Sequence, residues 1–139
     1  MKKLFSFILI VFFVSLFNGQ QVIQPTPKTK LLVYYFHVTH RCNTCMKIEE
    51  TVKKVLTTYF PNELKNNVII FQSFNCELPE NKKLVEKYQA YGSTLVLTSI
   101  KNGKEMKVED ITEFAFSKIN NETLFTTEFR NKIEEFLAL

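Results

Sequence analysis

From Leu31 to Val38 the chain is apolar or aromatic at nearly every position, LLVYYFHV. That is the composition of a strand covered on both faces, not the alternation of a half-exposed one. From Cys45 the pattern changes period. Ile48, Val52, Val55, Leu56 and Tyr59 recur at helical spacing with Lys and Glu between them, which predicts a helix with one buried face. Pro61-Asn62 ends it. Val68 to Phe74, VIIFQSF, reads as a second buried strand. Pro79-Glu80 suits the first turn of a short helix whose inner face is Leu84, Val85 and Tyr88. Thr94 to Ile100, TLVLTSI, is a third strand, and Asn102-Gly103 is a hairpin turn into a fourth, Lys104 to Val108. Ile111, Phe114, Ala115 and Ile119 form one helical stripe. A last helix runs from about Glu122 to Leu137, capped by Asn121, with Leu124 or Phe125, Phe129, Ile133, Phe136 and Leu137 facing in.

The order β-α-β-α-β-β-α, with the Ile111–Ile119 stripe before the last helix, predicts an α/β domain. A strand–helix–strand unit makes the first two strands parallel and the Asn-Gly hairpin makes the last two antiparallel. The expected architecture is a central mixed four-stranded sheet with helices on both faces, over residues 31–139.

Two segments precede it. In residues 1–19, MKK is followed by an apolar run of 14 residues, LFSFILIVFFVSLF, and a small polar exit. A basic start, a short apolar stretch and a polar end describe a secretory signal, and the run is shorter than the roughly 20 residues of a spanning helix. Export to a periplasmic or other extracytoplasmic compartment is the expectation, with an uncleaved membrane anchor as the competitor. Disulfides persist in such a compartment. Residues 20–30 hold two prolines and no apolar periodicity and read as an extended linker. Without Lys2 and Lys3 the chain carries 16 basic against 14 acidic residues, or +2. That balance points to neither nucleic acid nor an anionic membrane surface as partner.

The candidate chemistry is Cys42-Asn43-Thr44-Cys45, placed where the first strand gives way to the first helix. A thiol there has its thiolate favoured by unpaired helix amides and the positive end of the helix dipole. Arg41 and His40 add to that effect. Cys42 is expected as the outer, attacking thiol and Cys45, one turn in, as the resolving one. A structural disulfide or an inert pair is the plainer alternative, but a three-residue separation closes little chain. Cys76 follows the second strand at the same sheet end. It is either a third thiolate or a free, half-buried Cys. His40 is a candidate proton or metal group or a solvated loop residue, and His37 a partly buried histidine at a strand end. Arg41 is a candidate for binding an anionic substrate. The aromatic residues Tyr34, Tyr35, Phe36, Phe71 and Phe74 are assigned to core packing.

A Cys-x-x-C at this junction within this element order resembles the thioredoxin fold over essentially Leu31 to Leu139. More narrowly, YYFHVTHRCNTCMKIEE, with KYQAYGSTLVL downstream, is similar to a small exported thioredoxin-like group labelled as a nitrophenyl compound nitroreductase subunit family and associated with arsenic-type operons. The shared features are Tyr34 to His37, Arg41 to Cys45, and Ile48-Glu49. The resemblance implies help to a reductase. Three positions depart from standard thioredoxins: Phe36 stands where they carry a buried acid, Arg41 where an aromatic precedes the first Cys, and Ser93 where a cis-proline faces the disulfide. A non-proline cis bond costs about 3 kcal/mol, so a trans bond is expected at Ser93. By analogy, Ser93 and Thr94 are expected to hydrogen-bond a substrate backbone. Loss of the proline also favours metal contact with the thiols.

The resulting expectation is an exported thiol–disulfide oxidoreductase or electron-transfer subunit without a cofactor. No G-x-G-x-x-G, P-loop or C-x-x-C-H accompanies the thiols. Electrons then come from a protein dithiol or disulfide partner, such as a membrane-bound donor. Two competitors are a soft-metal protein holding Cu(I) or Zn(II) through Cys42, Cys45 and His40 or Cys76, and a non-catalytic partner subunit of a reductase.

Overall fold

The computed structural model describes residues 21–139; the signal segment proposed for residues 1–19 lies outside them. Four strands form one sheet: β1 (Leu31–His37), β2 (Ile69–Asn75), β3 (Thr94–Lys101) and β4 (Lys104–Asp110), in the order β2-β1-β3-β4. β1 pairs with β2 in parallel, Leu31 opposite Ile69 through His37 opposite Asn75. β3 runs antiparallel to both β1 and β4. This is the mixed four-stranded sheet expected, with helices on both faces.

Central β1 explains the two-faced burial. Leu31, Val33 and Tyr35 point to one face, where they pack with Ile69, Leu95 and Leu97 against α1 (Asn43–Tyr59), α4 (Thr112–Lys118) and α5 (Glu122–Leu137). Leu32, Tyr34 and Phe36 point to the other, against Ile70, Phe74, Val96 and α3 (Lys82–Tyr88). A strand with period-2 side chains and helices on both faces has to be apolar throughout. Burying a large apolar side chain contributes roughly 2 kcal/mol, and Tyr35, Phe36, Phe74, Phe125, Phe129 and Phe136 are each almost fully buried.

The helix ends show where local chemistry overrode periodicity. α1 stops at Tyr59 because Phe60, preceding a proline, leaves the helical region (φ −130°, ψ 40°). Pro61 then opens a further short helix, α2 (Pro61–Lys65), which the pattern did not announce; a proline at the first helical position loses no hydrogen bond. Tyr59, expected inside, is exposed, and Arg130 lies over its ring at 5.0 Å. In α5 the inward residue is Phe125, while Leu124 is exposed. Asn121 caps that helix, its side chain accepting from Leu124 N–H at 3.1 Å. The hairpin holds Asn102 (φ 54°) and Gly103 (φ 73°) in the left-handed region, as a two-residue turn of this kind requires.

Residues 21–30 form neither helix nor strand, with a turn at 27–28, but they are fixed to the domain. Gln72 of β2 accepts from Ile23 N–H at 2.8 Å and donates to the Gln21 carbonyl at 3.1 Å. Val22 packs on the α3 face of the core, and buried Thr29 donates to Asn67 O at 2.8 Å. No helix among the described residues is long and apolar enough to cross a membrane.

Candidate functional site

β1 ends at His37, and a short loop carries the chain to Cys42, the N-cap of α1. That loop is stitched to the end of β2. Cys76 N–H donates to His37 O at 2.8 Å, Glu77 accepts from Thr39 N–H at 2.8 Å, and Asn75 donates to Thr39 Oγ1 at 3.0 Å. Parallel pairing of β1 and β2 thus brings two loops to one sheet end and fixes the approach to α1.

Cys42 and Cys45 are joined by a disulfide with Cα atoms 5.2 Å apart. Cys42 is exposed and Cys45 is 8% exposed. The Cys45 N–H donates to Cys42 Sγ at 3.1 Å, so the outer sulfur takes the place of the side-chain oxygen that caps an ordinary helix. On reduction the same amide and the helix N-terminus favour the Cys42 thiolate. Outer and inner positions follow from the geometry: only Cys42 is open to a second sulfur.

Beneath the pair lies a polar group that periodicity had hidden in the core. Tyr35 Oη donates to Cys45 O at 2.8 Å. Burial pushes the Tyr35 phenol above its ordinary value, against the lowering influence of Ser93 and Arg41. Arg41 lies over the Tyr35 ring, 5.6 Å from its centroid, and its guanidinium pairs with Glu49 at 2.5 Å. Glu49 is only 6% exposed. Burial alone would raise its pKa, but hydrogen bonds from Lys53, Arg41 and Ser73 outweigh that and hold the carboxyl below the ordinary carboxylate value. The signal for Glu49 was its spacing: it follows Cys45 by four residues on the stripe that continues through Val52 and Leu56. Tyr35 carried no such signal, since nothing in an apolar strand tells which hydroxyl finds a partner.

The other candidate residues are placed as follows. Arg41 is half-buried and turned toward Glu49. His40 is exposed. His37 is half-buried, its Nδ1 3.0 Å from Val38 O. The peptide bond at Ser93 is trans, no cis bond occurring among the described residues. Thr94 lies opposite Phe36 in the sheet and its hydroxyl donates to Gly92 O at 3.1 Å, closing the loop before β3. Thr94 therefore uses its hydroxyl inside the domain, while Ser93 is half-buried. Phe36, where a buried acid was looked for, is wholly buried among Phe74 and Tyr88. Cys76 is a free, half-buried thiol at the end of β2, and burial raises its pKa. Among the described residues no group of three or more His, Cys, Asp or Glu side chains is close enough to hold a metal ion. Cys42, Cys45, His40 and Cys76 thus do not converge.

No protein-family model matches the chain, and no curated protein matches it. Among solved structures it is similar to the germline-specific thioredoxin Deadhead of Drosophila melanogaster, at 19% identity over 66% of this chain and 78% of that one, with a TM-score of 0.42. It is similar also to Fasciola hepatica thioredoxin, at 20% identity over 68% and 84% of the two chains (TM-score 0.41). Chlamydomonas reinhardtii thioredoxin f2 is a third, at 15% identity over 71% and 83% (TM-score 0.40).

Proposed function

We propose that this chain is an exported thiol–disulfide oxidoreductase, or the electron-transferring subunit of a larger reductase, working through Cys42 and Cys45. The observation that carries this reading is the asymmetry of the pair: an exposed N-cap sulfur bridged to a buried one a helical turn inside. In the reduced protein the Cys42 thiolate attacks one sulfur of a partner's disulfide and expels the other as a thiolate. Cys45, deprotonated, then attacks Cys42 in the mixed disulfide, closing the Cys42–Cys45 bond and releasing the partner as a dithiol. Two electrons and two protons pass to the partner, and a dithiol donor returns them.

The partner is a protein presenting a disulfide or dithiol, with a membrane-bound donor as the source of electrons. The apolar run near the N-terminus supports export, and residues 34–49 support a helper role beside a reductase of the nitroreductase-subunit kind. Arg41 is paired with Glu49 and the Thr94 hydroxyl with Gly92 O, while exposed Met46, next to Cys45, is open to a partner. The test is equilibration of the protein with glutathione redox buffers, followed by alkylation, mass counting and metal analysis of the same sample. A reversible, metal-free Cys42–Cys45 couple is the expected result. Stoichiometric metal on protected thiols, or thiols that never pair, would overturn the reading.

A further inference from the structure

Arg41 immediately precedes the outer cysteine, and sequence reasoning made it a cation that favours the Cys42 thiolate. The structure turns its charge elsewhere. The guanidinium is folded back over the Tyr35 ring and onto the Glu49 carboxylate, with Arg41 Nε buried and without a hydrogen-bond partner. Glu49 is held in turn by Lys53 at 2.7 Å on α1 and by Ser73 on β2. An ionised carboxylate buried this deeply persists only when paired, and Lys53 is half in solvent, where its charge is screened. Arg41 is therefore the principal buried partner.

We propose that Glu49 is a positioning residue for the thiol pair: by drawing Arg41 inward against Tyr35, it withholds from Cys42 a positive charge that would otherwise stabilise the thiolate. It thereby makes the protein a better reductant than an unpaired Arg41 beside the helix N-terminus would allow. A stabilised thiolate favours the dithiol form and yields a more oxidising couple, so neutralising Arg41 moves the couple the other way. The charged and titratable groups facing the Arg41–Glu49 pair are Tyr35 from β1 and Lys53 from α1, with the Ser73 hydroxyl from β2. His40, in the loop, is exposed. This inference rests on the thiol-exchange reading above.

The experiment uses the reduced protein in a Cys76→Ser background, so that only the pair titrates. Thiolate absorbance is followed against pH, and the dithiol-to-disulfide ratio is measured at a fixed glutathione ratio. In the latter, two glutathione thiols lose two electrons and two protons as they join, and the Cys42–Cys45 bond opens to two thiols. Glu49→Gln frees Arg41; the Cys42 titration should move to lower pH and the dithiol ratio rise by roughly threefold to tenfold. Arg41→Gln should shift both in the opposite direction. The Arg41→Gln/Glu49→Gln double variant, which removes a neutral pair, should return to within about threefold of the parent. Structural damage would not reverse in that way. Should Glu49→Gln fail to fold, Glu49→Met removes the carboxylate while filling its volume. If both single variants move together, or neither moves while the parent still cycles reversibly, the inference is wrong and the thiol-exchange reading stands. A parent pair that never cycles would sink that reading first.

Discussion

The Tyr35 hydroxyl donates to the carbonyl of Cys45 across 2.8 Å of buried interior. One bond thus ties the middle strand of the sheet to the first turn of α1, at the residue carrying the inner sulfur. Two elements thus meet at one oxygen: β1 and the start of α1. The position of the disulfide is therefore set by the sheet as well as by its own loop.

Tyr35→Phe keeps the ring, and with it the stacking surface for Arg41, but removes the junction. Loss of a buried hydrogen bond costs about 1 kcal/mol, which in a domain of this size lowers the melting temperature by roughly 3–6 °C. Thermal unfolding followed by circular dichroism measures this. The rate at which Cys45 resolves a mixed disulfide should fall as well, since its carbonyl is no longer anchored. An unchanged melting curve would mean that the junction is ornamental.

Exposure decides the division of labour between the sulfurs. Cys45→Ala should accumulate a stable mixed disulfide on Cys42 with a small aromatic disulfide, whereas Cys42→Ala, whose remaining thiol is 8% exposed, should react at least tenfold more slowly. Mass spectrometry of the quenched adducts distinguishes the two. Reduction of the parent should leave it folded, because a bridge closing so short a loop stabilises by about 2 kcal/mol at most.

Much of this was legible in the residues, and the reasons for what was not are physical. The inner strands β1 and β3 show in the sequence because burial on both faces leaves almost no charged position in them, Leu31 to Phe36 above all. The Asn102-Gly103 turn shows because few other residues adopt its backbone. The site showed through Cys42 and Cys45, whose spacing is chemical. Tyr35 and Glu49 were hidden for opposite reasons. Tyr35 looked like one more aromatic in an apolar strand, and its hydroxyl matters only because of where α1 lies. Glu49 looks like one more charge in a Lys- and Glu-rich helix although its spacing from Cys45 and Val52 sets it on the buried stripe, and the partner that offsets its charge there, Arg41, comes from outside the helix. Partners that come from other elements leave no periodicity of their own behind.

Cys76 tests whether the third thiol takes part. Burial raises its pKa and leaves it half-covered, so at neutral pH it is protonated and slow. Cys76→Ser should leave disulfide exchange at Cys42 within about twofold of the parent. In the reduced protein, iodoacetamide should modify Cys42 at least tenfold faster than Cys76, read by peptide mapping.

Gln72 makes a separate claim about the segment leading into the domain. Its side-chain amide holds both Gln21 and Ile23 through their backbone groups. Gln72→Ala should leave the global melting temperature within about 2 °C of the parent, while hydrogen exchange and protease cleavage at residues 21–25 increase several-fold. If the segment stays protected, Val22 and Thr29 hold it without help.

Glu49 predicts how the protein responds to acid. Its carboxyl is held below the ordinary value in the folded state, burial opposing and the bonds from Lys53, Arg41 and Ser73 prevailing. The unfolded chain therefore binds a proton at Glu49 more readily than the folded one does. The stabilisation from this group is fully present above the unfolded carboxylate pKa of about 4.3 and is lost as pH falls through the lower folded value. Stability should thus decline from about pH 5 downward, and Glu49→Gln should flatten that decline while lowering stability at pH 7 by about 2 kcal/mol, the worth of a buried hydrogen bond to a charged group. Urea unfolding of parent and variant at pH 7 and pH 4 supplies the comparison. A variant that is less stable by the same amount at both pH values would show that the carboxyl's charge plays no part in holding Arg41 over Tyr35.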